Sequence, residues 1–327
     1  MIAHDDLAQR RTLTSLWQTG TVPEGDAVWN TAKRLHAALA GQVLTRSDFR
    51  VPRYATVSLT GQLVTEAVAR GKHLLIRTDR GLTVHTHLKM EGAWRIQPAD
   101  RRPLRDSHRL RLLLANSQWV AAGYQLGVTE VLPTSREDQV IGHLGPDLLG
   151  PDWDAAAAVA RLVRDPGRPV GEALLDQRNL AGLGTVYMAE TLFLRGVDPA
   201  RPVGSVADLD VLVSLGHRLL DANKERAGHV TTGDARPGRE SWVYGRAGRP
   251  CRRCGTVIRR GEAGPPGQER LRFWCPNCQS LKSPDAGPDL TAASGTWPVL
   301  AFRGLEREGA DLASPGSSGL CHAGPDS

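Results

Sequence analysis

The sequence is poor in the residues and runs that mark secreted or membrane proteins. Its 327 residues include five cysteines, and four of these stand in two CxxC pairs. That pattern favours a metal site in a reducing compartment over a disulfide framework. No run reaches the roughly 18 consecutive apolar residues that a membrane helix needs. Residues 1–21 also lack the apolar core of a signal peptide. We therefore expect no membrane span and a cytoplasmic location.

The positive charge of the chain is unevenly distributed. The formal net charge is +6, but residues 281–327 contain three basic and six acidic residues, so the remaining 280 residues carry +9. A basic body favours a polyanionic partner, because binding releases counterions from the polyanion. The alternative is an arginine-rich surface that faces only solvent. Charge by itself does not separate the two.

Pro23 and Glu24 stand directly before a predicted helix. The helix runs from residue 26 to residue 40, with Asp26 as its N-cap and an apolar face that ends near Gly41. An internal proline nitrogen is an amide, and Pro23 would then only stiffen the helix entry. A proline at the start of a chain instead has a secondary amine, which can attack a sugar aldehyde carbon.

The first residues of the chain decide between these two interpretations of Pro23. Residues 1–21 carry no motif, and they are either a real extension or upstream sequence. Val22 can be encoded by GUG, a codon that bacteria also use for initiation. Initiation there would place Met at position 22, and removal of that Met would free the Pro23 amine. We therefore expect the working chain to begin at Pro23.

Short β segments follow the helix, separated by Gly, Pro, Asp and Asn. They are predicted at 43–49, 56–60, 63–69, 73–78, 82–85, 93–96, 110–115 and 118–122. This spacing predicts a β-sandwich with the first helix packed at its edge. Lys72 lies in a glycine turn between two of the segments. Because only five lysines occur in the chain, a lysine in that turn is suggestive, although most loop lysines are simply solvated.

Beyond a Gly/Pro-rich hinge at residues 144–151, the pattern becomes helical. Helices are predicted at 153–164, 170–176, 185–193 and 206–223. The turn before the third helix contains Gly182 and Gly184. Backbone amides at a helix N-terminus form a natural phosphate site, but such a turn is often only a structural corner.

The most specific motif is a pair of cysteine knuckles. Cys251 and Cys254 are followed after twenty residues by Cys275 and Cys278. Four thiolates at this spacing predict a structural Zn²⁺ with no open coordination position, which excludes a catalytic metal. The basic segment between the knuckles contains Arg270. Residues 281–327 are predicted to be a disordered tail.

An ordered set of motifs resembles the formamidopyrimidine-DNA glycosylase/endonuclease VIII family, in particular its endonuclease VIII-like branch in high-GC bacteria. The motifs are PEG at 23–25, RGKHLL at 70–75, HLKMEGAW at 87–94, LGPDLL at 144–149, LLDQRNLAGLG at 174–184, VYGRAGRPCRRCG at 243–255 and RFWCPNCQ at 272–279. The resemblance implies an α+β fold. Its parts are an N-terminal extension (1–21), a catalytic β-sandwich domain (22–150), a helix–two-turn–helix domain (151–245), a zinc hairpin (246–280) and the tail.

The resemblance also implies a function and residue roles. The expected activity is that of a bifunctional DNA glycosylase/AP lyase that excises oxidised bases, mainly pyrimidines, from double-stranded DNA. Pro23 would attack C1′, Glu24 would act as acid and base, and Lys72 would bind phosphate and assist catalysis. Met90 would fill the gap left by the extruded base. The backbone at Gly184 and Thr185 and the side chain of Arg270 would hold phosphates. A monomer is expected.

Two positions depart from the family pattern. Many relatives carry a glutamate where this chain has Ala27, and an asparagine where it has Thr185. A third departure is the segment that precedes Pro23. If that segment is retained, the alternative is a non-catalytic damaged-DNA-binding protein on the same scaffold. A zinc-ribbon transcription or RNA-binding factor is a further alternative.

Overall fold

The computed structural model describes residues 23–102, 104, 107–226, 228–267 and 269–280. The predictions for residues 1–21 and for the tail at 281–327 lie outside the described residues. The predicted domain boundaries stay predictions.

The first helix, α1, spans Gly25–Leu39. Its apolar face is buried as the periodicity predicts, through Val28, Ala32, Leu35 and Leu39. The prediction that Asp26 caps this helix is wrong. Glu24 has extended backbone and its carbonyl accepts the first helical bond, from the Val28 amide at 3.0 Å, so the helix begins one residue earlier and Asp26 lies within its first turn.

Eight strands follow α1 in the described part of the chain. They are β1 Arg46–Phe49, β2 Val64–Arg70, β3 His73–Thr78, β4 Leu82–His87, β5 Ala93–Pro98, β6 Leu110–Ala115, β7 Trp119–Tyr124 and β8 Val128–Pro133. The strands form two antiparallel sheets with the orders β1-β6-β7-β5 and β2-β3-β4-β8. A single apolar cluster joins side chains of both sheets to α1. The helix packs mainly on β2, an edge strand, and the predicted sandwich with an edge helix is confirmed.

One strand prediction was wrong, and one strand was not predicted. Residues 56–60 form no strand; the Leu59 amide there donates to the Ser47 hydroxyl at 2.7 Å instead of to a neighbouring strand. The strand β8 was missed. It pairs along its whole length with β4, but its sequence VTEVLP alternates weakly and only Thr129 in it is buried. Backbone pairing rather than side-chain pattern therefore determines this strand.

The helical region contains a short α2 (Asp138–Ile141), then α3 (Ala155–Leu162), α4 (Val170–Leu175), α5 (Thr185–Leu194) and α6 (Leu209–Asn223). The helix α5 is its centre, and residues 186–193 are all buried. Tyr187 and Leu192 pack in the helical core, whereas Ala189 and Phe193 pack against the cysteine hairpin. Because α5 is buried on every side, packing fixes its position.

The hairpin consists of β9 (Arg259–Ala263) and β10 (Arg270–Trp274), paired antiparallel. Gln279 ties its end to the helical region, since its side-chain amide donates to the carbonyl of Val197 at 2.9 Å.

Candidate active site

The carboxylate of Glu24 lies at the N-terminus of α5. It is fully buried and accepts three backbone hydrogen bonds, from the amides of Gly184 at 2.8 Å, Val186 at 2.7 Å and Tyr187 at 3.4 Å. The first amides of a helix have no partner within the helix, and its dipole favours an anion at that end. The first residue of α1 is also tied to the turn that precedes α5, because the Gly25 amide donates to the Gly182 carbonyl at 2.9 Å.

The ammonium of Lys72 lies beside this carboxylate. A Cβ built on Gly184 would lie 2.5 Å from the Glu24 carboxyl carbon and 2.7 Å from the Lys72 Nζ, so only glycine fits between the two. Burial raises the pKa of Glu24, and the charge of Lys72 opposes that rise. Burial lowers the pKa of Lys72, which Glu24 opposes and Arg270 reinforces. Each group thus stabilises the charged form of the other in a water-poor setting.

The turn that presents Lys72 is held by a buried aspartate. The Gly71 amide donates to Asp147 Oδ2 at 2.7 Å. Gly71 has a φ of +56°, which favours glycine, and a Cβ there would lie 2.9 Å from the Ala181 Cβ. The LGPDLL and LAGLG motifs therefore meet at the lysine turn.

The structure brings Glu24, Lys72 and Gly184 together and locates the other predicted contacts around them. Thr185 begins α5 close to Tyr244, whose pKa is raised by burial and lowered in part by the Thr185 side chain. Arg270 is exposed on β10. Met90 is 66% exposed in the turn between β4 and β5. Of the two backbone amides predicted to hold phosphate, that of Gly184 is already donated to Glu24.

Sequence reasoning missed a polar network next to Pro23. Asp26, 4% exposed, accepts a hydrogen bond from the Tyr187 hydroxyl at 2.5 Å, and the same Oδ2 lies 2.9 Å from His229 Nδ1. Burial and the charge of Asp26 raise the pKa of Tyr187, which keeps its proton. These residues lie 161 and 203 positions after Asp26, and no local motif connects them.

A pocket of about 290 Å³ lies beside Pro23. Its walls come from the start of α1, from β5 and from the segment after α6; they include Pro23, Asp26, Trp94, Arg226 and His229. The pocket is large enough for a small planar group, and it places the proline next to the polar network.

The four motif cysteines form one cluster, as predicted. All their sulfur atoms lie within 4.8 Å of one another, with Cys251 and Cys278 at 3.9 Å and Cys254 and Cys275 at 3.4 Å. A tetrahedral ion with metal–sulfur bonds of about 2.3 Å requires sulfurs about 3.8 Å apart. The donor set therefore fits one tetrahedral metal ion.

A second buried carboxylate lies further along α5. Glu190 is fully buried and accepts hydrogen bonds from the amides of Trp242 at 2.8 Å, Val243 at 2.9 Å and Tyr244 at 2.8 Å, and from the Thr231 hydroxyl. It anchors the segment that leads into the hairpin.

Among the described residues, no helix is both long enough and apolar enough to cross a bilayer.

Fold and site together define a two-sheet domain joined to a helical region and a four-cysteine hairpin, with a buried carboxylate beside a half-buried lysine where α5 begins. The formamidopyrimidine-DNA glycosylase N-terminal domain matches residues 22–123, and the H2TH domain of the same glycosylase matches residues 144–218. The chain belongs to the formamidopyrimidine-DNA glycosylase/endonuclease VIII family.

Curated relatives include the probable endonuclease 8 2 of Streptomyces coelicolor, 52% identical over 269 residues, which cover 81% of this chain and 97% of that protein. The DNA-(apurinic or apyrimidinic site) lyase Nei2 of Mycolicibacterium smegmatis is 49% identical over 259 residues, or 79% of this chain and 99% of that protein. Among solved structures, the Lactococcus lactis formamidopyrimidine-DNA glycosylase bound to abasic-site DNA has the same fold. Its TM-score is 0.67 at 22% identity, with 79% of this chain and 100% of that one covered.

Proposed function

We propose that this protein is a bifunctional DNA glycosylase/AP lyase of base excision repair, acting on double-stranded DNA that contains oxidised bases or abasic sites. The observation that carries the proposal is the pair formed by buried Glu24 and half-buried Lys72 at the N-terminus of α5, next to Pro23 and its pocket. Family membership and the names of the relatives support the same activity.

The proposed nucleophile is the Pro23 amine of a chain that begins at that residue. The family match that begins at residue 22 supports such a start. An α-amine has a pKa of about 8, so a useful fraction is neutral near neutral pH, and amine attack with iminium formation is an established covalent strategy. In a longer chain the same nitrogen is an amide, and no such attack occurs.

The chemical steps follow from these groups. Glu24, whose raised pKa suits it to hold a proton, gives that proton to O4′ as the Pro23 nitrogen bonds to C1′ and the bond between C1′ and O4′ breaks. The bond between C1′ and the damaged base then breaks as the nitrogen lone pair forms the iminium, and the base leaves with the proton that the nitrogen gives up. The resulting iminium acidifies C2′. Loss of that proton expels the 3′ phosphate, and a second elimination expels the 5′ phosphate.

The remaining site residues are proposed to hold the DNA. Lys72 and Arg270 offer positive charge to phosphates, and Thr185 offers its helix N-terminus. Tyr244, close to Thr185, extends that set. Met90, exposed in its turn, would enter the stack when the base is extruded, which costs a few kcal/mol by itself. Because the substrate is cellular DNA and thiolate ligands need reducing conditions, we propose the cytoplasm as the location.

The cysteine cluster is proposed to hold a structural Zn²⁺. Cys251, Cys254, Cys275 and Cys278 would bind it, and no position stays open for catalysis. The ion would fix the hairpin that carries Arg270. Elemental analysis should find one zinc per chain, and Cys278→Ser should lose the zinc and weaken DNA binding. A folded, DNA-binding protein without bound metal would contradict this assignment.

Borohydride trapping tests the lyase. Residues 22–327 are expressed with Met in place of Val22, so that removal of Met exposes Pro23. We expect a covalent adduct with a duplex that contains an abasic site, since borohydride reduces the iminium. The matched control is the chain that begins at Met1, in which Pro23 is blocked and no adduct should form. A folded, zinc-loaded chain that begins at Pro23 and yields no adduct would refute the lyase.

The N-terminus of the native protein is the second test. Mass spectrometry of protein from its own cells should find chains that begin at Pro23. If every chain keeps the preceding residues, the protein binds damaged DNA without covalent chemistry at Pro23.

A further inference from the structure

One oxygen of Asp26 has no explained partner. Its Oδ2 is held by Tyr187 and His229, at 2.5 Å and 2.9 Å. Its Oδ1 is buried and has no hydrogen-bond partner among the described residues. A buried carboxylate oxygen that is left unpaired is destabilising, and each such atom in a folded protein calls for a reason.

The Pro23 nitrogen is the main-chain nitrogen whose chemistry depends on where the chain begins. Asp26 follows it by three residues, the separation at which a first-turn side chain reaches back to a main-chain nitrogen in a capping box. Both residues line the same pocket. In a chain with preceding residues, the Pro23 nitrogen is an amide without hydrogen. In a chain that begins at Pro23, the nitrogen is an amine that can donate.

Neither the side chain of Glu24 nor that of Ala27 supplies a free acceptor for that amine. Both oxygens of Glu24 are taken by backbone amides of α5, and Ala27 has only a methyl group.

We propose that Asp26 Oδ1 accepts a hydrogen bond from the Pro23 amine in a chain that begins at Pro23, and that it thereby directs the nitrogen lone pair into the pocket. This inference rests on the proposed function. Tyr187 and His229 fix the carboxylate through Oδ2. Asp26 is therefore a positioning residue whose Oδ1 stays available to accept a hydrogen bond from the amine. The described protein thus already contains the partner for an amine.

The electrostatic consequence is a raised pKa of the amine, because a hydrogen-bonded carboxylate favours the protonated form. Other charged groups also face this position. The pocket is lined by the guanidinium groups of Arg34, Arg95, Arg101 and Arg226 and by the imidazole of His229, and Lys72 lies beside Glu24, the residue that follows Pro23. The cations act against Asp26, so its own contribution is measured by removing it alone.

The test is an NMR titration of the amine in the zinc-loaded chain that begins at Pro23, with labelled proline and no DNA. Asp26→Asn should lower the pKa of the amine by about one unit. The matched control is Asp208→Asn, which makes the same chemical change at a side chain that is 60% exposed and paired with Arg195; it should leave the amine unchanged. An unchanged amine pKa in folded Asp26→Asn would overturn the inference.

A second measurement needs no substitution and covers the case in which Asp26→Asn does not fold. The Asp26 carboxyl ¹³C resonance should shift as the amine loses its proton in the chain that begins at Pro23. It should stay constant over the same pH range in the chain that begins at Met1. A resonance that behaves alike in both chains contradicts the hydrogen bond.

The kinetic result separates a positioning role from a structural one. Trapping requires the neutral amine, so its rate rises with pH through the pKa of the amine. Asp26→Asn should move that rise to lower pH by about one unit and lower the plateau by up to roughly 100-fold through misplacement of the nitrogen. A lower plateau with an unmoved rise would overturn the inference and leave the lyase intact. Absence of trapping in every chain, with the amine pKa still dependent on Asp26, would instead refute only the proposed function.

Discussion

Two fully buried carboxylates lie against α5, one at its N-terminus and one in its middle, and they differ in what surrounds them. Glu24 reaches the N-terminus of the helix from another element and accepts three of its backbone amides. Glu190 projects from the helix and accepts three backbone amides of residues 242–244. Burial raises the pKa of both.

Beyond the three backbone amides, the two carboxylates differ in what lies beside them. Glu24 has the ammonium of Lys72 beside it and the Pro23 pocket next to it. Glu190 has the hydroxyl of Thr231, which is neutral. Buried carboxylates with backbone donors are therefore a shared structural device here, and the adjacent cation and open pocket distinguish the reactive one. Perturbed pKa values alone would have selected both.

The largest effect is expected from Glu24→Gln in the chain that begins at Pro23. Release of an oxidised pyrimidine from duplex DNA should fall by about 10²–10⁴-fold, the usual contribution of a general acid–base group. Single-turnover kinetics measures this. Near-normal base release by Glu24→Gln would show that Glu24 is not the general acid, and the two carboxylates would then not differ in function.

Glu190→Gln should act on stability instead. The new amide group faces backbone donors, and the free energy of unfolding should fall by about 1–3 kcal/mol, as measured by denaturant titration. Trapping of abasic DNA should persist wherever the variant is folded. The raised pKa also predicts that this carboxyl's contribution to stability is present below its unfolded value of 4.5 and is lost as the pH rises through the folded value. Glu190→Gln should lack that loss of stability with rising pH. If its stability depends on pH in the same way as that of the unsubstituted protein, the raised pKa of Glu190 is contradicted.

Lys72→Met should shift part of the pH profile of base release to higher pH. The lysine charge lowers the pKa of Glu24 against burial, so its removal should raise that pKa further, by about one unit. The limb of the base-release profile that belongs to Glu24 should move to higher pH, and substrate binding should weaken. Glu190→Gln serves as the control and should leave the limb in place. A limb that moves to lower pH would show that Lys72 does not act on Glu24.

The smallest effect is expected from Thr231→Val. It removes one of the four donors to Glu190 and keeps the shape of the side chain, so it should cost about 1 kcal/mol of stability and leave trapping unchanged. Thermal unfolding at fixed pH measures it. A loss as large as that of Glu190→Gln would mean that the backbone amides contribute little.

Local pattern was sufficient for much of the fold and for part of the site. The stripe of Val28, Ala32, Leu35 and Leu39 predicted α1 because a helix buries every third or fourth residue. The cysteine spacing predicted the four-sulfur cluster for a similar reason, since each pair is short and local. The strand β8 escaped prediction because its pairing partner, not its own composition, holds it.

The sequence by itself determined which chemical groups exist: a proline followed by an acid, a lysine in a glycine turn, two glycines before a helix and four thiolates. Only the tertiary structure decided that Glu24 meets the amides of α5, that Lys72 lies across Gly184 from it, and that Asp26 meets Tyr187 and His229. The physical reason is that these contacts join residues up to 203 positions apart. Local periodicity reports which face of an element is buried, and it carries no information about which distant element covers that face.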